Sequence, residues 1–365
     1  MPTSHDRGLR EGSGPRREIY GIQCLRALAA TMVVFHHTLE ESNGSAHPFS
    51  PGWLTTGGAA GVDIFFLISG FIMIHTSFGA DGAPPGPGPF LLRRAARIYP
   101  AYWVCCLGMV AISMLGYLHA HPLHAYGVFA SLVLLPTHSP LLYVSWTLVY
   151  EAYFYLVFAL ALVSRDSTRT AAIATGIIAA VLFLIRYGLG MPASAFLANP
   201  IQMEFCAGMW LAVLYRRNGF SLGSWLAIPA LALLYAAPLF SAHPNTNGLI
   251  DWPRVFFWGI PGALLLLASL RVGTGAALSR FGVRLGDASY GLYLTHPFLT
   301  LAYAAALKRT GLHHLPQPMI VAAVVAASIA VALAFRSRIE KPLGNLLRRR
   351  LGRTLPVAAT VGQPV

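Results

Sequence analysis

Apolar runs of bilayer-spanning length recur along almost the whole chain, separated by short clusters of arginine. A membrane-crossing helix rises ~1.5 Å per residue and needs about 20 predominantly apolar residues to cross ~30 Å of hydrocarbon. The composition agrees: 56% of the residues are hydrophobic and 11% charged, against about 25% charged in a soluble domain. A soluble protein of this length would alternate amphipathic segments with charged loops, and this chain does not. The expected fold is all-α, a polytopic helical bundle in a membrane. Spans are expected at about 20–39, 58–78, 98–118, 145–163, 170–187, 200–216, 224–240, 252–270, 287–307 and 317–336. The apolar piece 125–140 is short and ends in prolines, which suits a re-entrant or interfacial segment.

Charge placement tests this count. The net charge of +13 sits in short clusters between the apolar runs, the pattern that orients membrane proteins rather than one that binds nucleic acid. With the N-terminus inside, every lysine and arginine falls in a cytoplasmic segment except intramembrane Arg26 and four others, Arg186, Arg254, Lys308 and Arg309. That bias predicts ten spans with both termini cytoplasmic. Residues 1–18 read as a disordered basic cytoplasmic tail, and no small-residue cleavage site follows the first apolar run, so that run is expected to persist as a helix. Residues 19–342 form the membrane domain and 343–365 a second basic cytoplasmic tail. Cys24, Cys105, Cys106 and Cys206 lack metal-ligand spacing and read as packing residues.

Within the first span, Arg26 and His37 stand eleven residues apart. At ~100° per residue they share one stripe of a helix, roughly 16 Å apart along its axis. A cation and a titratable base rarely face lipid; they line a cavity where something polar is bound or moved, or they serve as interhelical glue. Asp63, Glu151 and Glu204 also lie inside expected spans, Asp287 opens the ninth, and His296 follows within it. That is enough to furnish a polar cavity.

Four further strings carry chemistry-bearing residues: GVDIFFLISGFIM (61–73), RRAARIYPAYW (93–103), SWTLVYEAYFY (145–155) and ASYGLYLTHP (288–297); the last span closes on RIEKP (338–342). Together with the Arg-x10-His pair, and in this order, they resemble the membrane-bound acyltransferase-3 family, whose bacterial members O-acylate surface and secreted carbohydrates. The resemblance runs from Leu25 to Pro342. The family's Arg-Arg-x-x-Arg motif falls on Arg93, Arg94 and Arg97, read here as a basic turn between spans. Its Trp-Ser/Thr-Leu-x-x-Glu-x-x-Phe/Tyr string falls on Trp146, Thr147, Leu148, Glu151 and Phe154. The compact length and YLTHP look like the exopolysaccharide acetyltransferases in particular. Some members add a soluble hydrolase-like domain, for which residues 343–365 leave no room.

The resemblance implies transfer of an acyl group, acetyl above all, from acyl-CoA (acetyl-CoA as co-substrate, with no metal) to a hydroxyl of a carbohydrate or lipid-linked glycan, among membrane lipids and without nucleic acid. A sugar hydroxyl is a poor nucleophile, and a positioned base is the usual remedy. The expected catalytic residues are His37 as base, Asp63 and Glu151. His36 points ~100° off the stripe. Asp63 either fixes the His37 tautomer or acts as a helix N-terminal acid. Glu151 orients the acceptor or the histidine. Arg26, Arg93, Arg94 and Arg97 are expected to hold the phosphates of the donor, although positive-inside topology also accounts for the last three. The same buried charges describe a rival, a proton-coupled transporter or glycan flippase. No internal repeat supports it.

Overall fold

The computed structural model describes residues 20–44, 49–78, 84–116, 124–240, 251–272, 277–310 and 315–351. The expected tail 1–18, and the tail 343–365 beyond residue 351, lie outside them. Twelve helical stretches follow one another: α1 (Tyr20–Asn43), α2 (Gly52–Ser77), α3 (Pro87–Met114), α4 (Ala125–Leu132), α5 (Tyr143–Ser164) and α6 (Ser167–Gly188), then α7 (Met203–Asn218), α8 (Ser224–Phe240), α9 (Asp251–Ser269), α10 (Ala277–Asp287), α11 (Ser289–Thr310) and α12 (Gln317–Leu347). No strand occurs among the described residues.

Each of the ten expected spans coincides with a helix. Six of these, α2, α3, α5, α6, α9 and α12, are long and apolar enough to cross a membrane. The other four fall short for two reasons. Helix α7 has 16 residues, and α8 is apolar but short as well. Helices α1 and α11 are long, yet their apolar residues are diluted by Arg26, His36, His37, Glu40 and Glu41 in one and by His296, Lys308 and Arg309 in the other. A helix enclosed by its neighbours can carry such groups, because they face protein rather than lipid. Helix α1 is enclosed in this way: Ala29, Ala30 and Val34, which lie on different faces, are all fully buried.

Two boundaries differ from the sequence reading. Helix α3 begins at Pro87, so Arg93, Arg94 and Arg97 ride on its first turns instead of occupying a turn. Proline is well placed there, since its missing N–H has no intrahelical partner in a first turn. Arginine and alanine are also strong helix formers. At the other end α12 continues past Arg336, through a π-turn at Arg336–Glu340, to Leu347. The piece 125–140 contains only the eight-residue α4; at ~1.5 Å per residue that is ~12 Å, far less than a crossing. It is clamped to α3, where the Tyr102 hydroxyl donates to Ser131 O at 2.8 Å and Trp103 Nε1 to Leu132 O at 2.9 Å.

Small residues set the spacing of the bundle centre. A Cβ on Gly61 would lie 2.3 Å from Ala29 O, which brings α2 directly against α1. Gly70 and Gly208 do the same for α2 and α7: a Cβ on either would come within 2.1 Å of the facing backbone oxygen, Phe205 O or Leu67 O. Backbone contact of this kind is how helices associate where hydrophobic burial offers little preference between protein and lipid.

Candidate active site

The polar residues of α1 separate into two groups along its length. Toward the Asn43 end, His37 Nδ1 lies 2.9 Å from a carboxylate oxygen of Glu40, one turn further on. With Nδ1–H donating to that carboxylate, Nε2 keeps the lone pair, which is the tautomer a general base requires. Three residues along a helix places side chains side by side, so this pair is built from local geometry alone. Glu40 stands one residue beyond the apolar run. Burial opposes its ionisation, and the hydrogen bond from His37, aided by the charge of His36 and His37, outweighs it and holds the carboxyl below the usual range.

Other helices close around His37. Tyr143, at the start of α5, meets its ring edge-on with centroids 4.9 Å apart. His296 of α11 stacks on it at 5.4 Å with the planes 17° apart. His296 is fully buried, and its Nδ1 lies 3.2 Å from Leu292 O. His36 also touches the His37 ring, with centroids 4.7 Å apart and the planes tilted by 48°, while its own Nδ1 bonds Thr55 O at 2.7 Å. Its Nε2 approaches the same Glu40 oxygen at 3.5 Å. His36, His37 and Glu40 thus bring three metal-ligating atoms within 4.8 Å of one another, and His37 Nδ1 is engaged by Glu40.

Asp63 does not orient His37. Both of its oxygens are taken by Arg254 of α9, through Nε and Nη2 at 2.9 Å each, and the carboxylate is fully buried. The fork of the guanidinium matches the carboxylate, and the two charges satisfy each other in a dry interior. Trp258 covers the guanidinium at 4.9 Å, and Glu204 of α7 bears on the same pair. The carboxylate hydrogen-bonded to His37 is thus Glu40, where Asp63 was expected. Local spacing in HHTLE contained that signal; the partner of Asp63, 191 residues away, had none.

Glu151 belongs to the second group, toward the Tyr20 end. Its oxygen accepts from Ser69 at 3.3 Å and from the Tyr155 hydroxyl. It sits two turns along α5 from Tyr143, the residue of that helix that touches His37, so its bonds go to α2 and to its own helix rather than to the base. Arg94, buried between the rings of Phe90 and Tyr155 at 5.4 and 5.7 Å, reaches Thr76 at 3.4 Å and feels the charge of Glu151. Arg26 donates through Nη1 to Gln23 Oε1 at 3.2 Å, among the charges of Arg97, Asp287, Glu340 and Arg336. Arg336 is tied to Asp287 at 3.1 Å. The structure thus brings Arg26, Arg94, Arg97 and Glu151 to one end of the bundle, with Arg94 buried and Arg93 and Arg97 exposed.

A histidine hydrogen-bonded to a carboxylate stands toward one end of the central helix, and arginines gather toward the other. The model of a family described as an acyltransferase domain matches residues 19–337. The chain belongs to the acyltransferase-3 family. It is 32% identical over 316 residues to the exopolysaccharide production protein ExoZ of Rhizobium meliloti, a match that covers 83% of this chain and 93% of ExoZ. It is 29% identical over 346 residues to the acyltransferase MdmB of Streptomyces mycarofaciens, covering 84% of each. No solved structure matches. As a family member the chain is an acyltransferase, and its long apolar helices make it a membrane protein.

Proposed function

We propose that this protein transfers an acyl group, acetyl by preference, from acyl-CoA to a hydroxyl of a cell-surface or secreted carbohydrate or of its lipid-linked precursor. All ten helices cross the bacterial inner membrane in this reading, with both termini cytoplasmic. The observation that carries it is the His37–Glu40 hydrogen bond, which leaves His37 Nε2 free to take a proton. His37 Nε2 removes the proton of the acceptor hydroxyl, and the oxygen attacks the thioester carbonyl. The C–S bond then breaks, and the thiolate leaves with the proton that His37 carries. No proton is gained or lost overall. Arg26, Arg94 and Arg97 hold the donor phosphates, with Arg93 at the rim, because guanidinium groups bind phosphate bidentately. Glu151 positions the arginine group through Arg94, and Asp63 holds α2 and α9 together around the site.

The relatives support the acceptor class. ExoZ is named for exopolysaccharide production and MdmB as an acyltransferase. The test is acyl-CoA turnover by purified protein in nanodiscs with crude envelope glycan. Thiol release matched by ester formation supports the reading; intact acyl-CoA with every acceptor pool favours the rival, a proton-coupled transporter or flippase, which consumes none.

A further inference from the structure

One group beside His37 is left over by this scheme. His296 is fully buried, and its Nε2 has no hydrogen-bond partner among the described residues. Its Nδ1 faces the Leu292 carbonyl, which fixes the proton on Nδ1 and leaves the lone pair on Nε2. An acceptor buried without a donor costs free energy that a leucine or phenylalanine of similar size would avoid. His296 is also not remote from the chemistry, since its ring lies nearly parallel to that of His37 with centroids 5.4 Å apart.

The two imidazoles are tethered alike. Each has Nδ1 turned to an oxygen of the protein, Glu40 for His37 and Leu292 for His296. Two adjacent, nearly parallel rings therefore each keep a lone pair on Nε2. A single hydroxyl carries one hydrogen and can donate to only one of them. A simple alcohol would satisfy His37 and leave His296 as it is, whereas a sugar, with hydroxyls on adjacent ring carbons, satisfies both. Tyr143 and Tyr293, with ring centroids 6.3 and 5.9 Å from His296, supply aromatic walls. The Tyr293 hydroxyl already donates to Val144 O at 2.7 Å, so it is not the missing donor.

We propose that His296 is an acceptor-binding residue: its Nε2 receives a hydrogen bond from a hydroxyl neighbouring the one that His37 deprotonates, so that the site selects polyhydroxylated acceptors over lone alcohols. This rests on the acyl-transfer reading and refines its substrate class. His296 takes no proton in the reaction.

The experiment is a cycle between protein and substrate. Methyl glycosides of glucose, galactose and mannose, and their singly deoxygenated analogues, are supplied with acetyl-CoA to the full-length protein and to His296→Leu and His296→Gln. With the best glycoside, removing the neighbouring hydroxyl is expected to lower kcat/KM by about 3- to 10-fold in the wild type, the worth of one neutral hydrogen bond. His296→Leu should lose the same factor through KM with the intact glycoside and nothing further with the deoxy one. His296→Gln, whose amide oxygen can occupy the place of Nε2, should recover most of it, which separates a lost contact from a lost fold. Wild-type kinetics in His296→Leu, or a loss confined to kcat and equal for intact and deoxy glycosides, would overturn the proposal. Equilibrium binding of the same glycosides without donor gives a second readout that survives failure of the transfer reading. Binding weakened in His296→Leu and restored in His296→Gln supports the contact even if no acyl group moves. Equal binding by wild type and His296→Leu, or no binding by either, overturns it.

Discussion

Replacing Glu40 with alanine removes the one carboxylate that, among the described residues, is hydrogen-bonded to the proposed base, and its effect can be worked out from the geometry. The bond is 2.9 Å long and charge-assisted, a class worth about 1.5–3 kcal/mol. The Glu40 side chain is 38% exposed, and solvent screening places it at the lower end of that range. At ~1.4 kcal/mol per factor of ten, kcat/KM should fall roughly 10-fold in Glu40→Ala, and by no more than about 100-fold. Glu40→Gln, which keeps a neutral acceptor, should fall between the variant and the wild type. Glu41, the next residue, is turned ~100° away and serves as the control: Glu41→Ala should stay within twofold. The assay is thiol release from acetyl-CoA at saturating acceptor, with folded protein confirmed by thermal melting. Wild-type kcat/KM in Glu40→Ala would refute the reasoning, because the tautomer of His37 would then owe nothing to the carboxylate.

Other outcomes follow from the same structure. Because the Glu40 carboxyl is held below the usual range, its contribution to stability is fully present above the ordinary carboxylate value and lost as pH falls through the lower folded value; the Tm gap between wild type and Glu40→Gln should therefore be constant near neutrality and close only below about pH 4. Arg254→Leu strands a fully buried carboxylate and should destabilise the protein by about 3–5 kcal/mol, whereas Arg254→Met with Asp63→Leu should recover most of that; thermal melts in detergent decide, and a stable single variant would contradict the pairing. Gly208→Val places a side chain against the Leu67 backbone and should cost at least ~1–3 kcal/mol, with loss of activity in proportion to folded protein.

Much of this architecture was legible from residue patterns, and the rest was hidden for identifiable reasons. Apolar length locates ten of the helices, because an apolar run of that length satisfies its backbone away from water by coiling. Helical phase places Arg26 and His37 on one stripe, since that relation lies within one helix. Phase says which way Asp63 points on α2 but nothing about which of several neighbouring helices meets it, and so Arg254 could not be foreseen as its partner. There was nonetheless a hint: Arg186 and Arg254 were exceptions to the charge bias, and the structure gives each an aspartate, Asp251 for the one and Asp63 for the other. These two arginines, which topology does not call for, are paired. Glu40 was overlooked because it stands past the end of the apolar run, although its spacing from His37 is local. The basic cluster 93–97 looks like a turn because charge marks the membrane boundary, yet a helix that passes the boundary keeps its hydrogen bonds and simply carries its arginines out of the lipid.

The most direct test of the account is transfer of radiolabelled acetyl from acetyl-CoA to envelope glycan by the purified wild type and by His37→Ala, with the Arg254 and Glu40 positions intact. The account predicts labelled ester and free thiol in equal amounts from the wild type and neither from His37→Ala at unchanged protein level and melting temperature. Labelled ester formed by folded His37→Ala at the wild-type rate would contradict it.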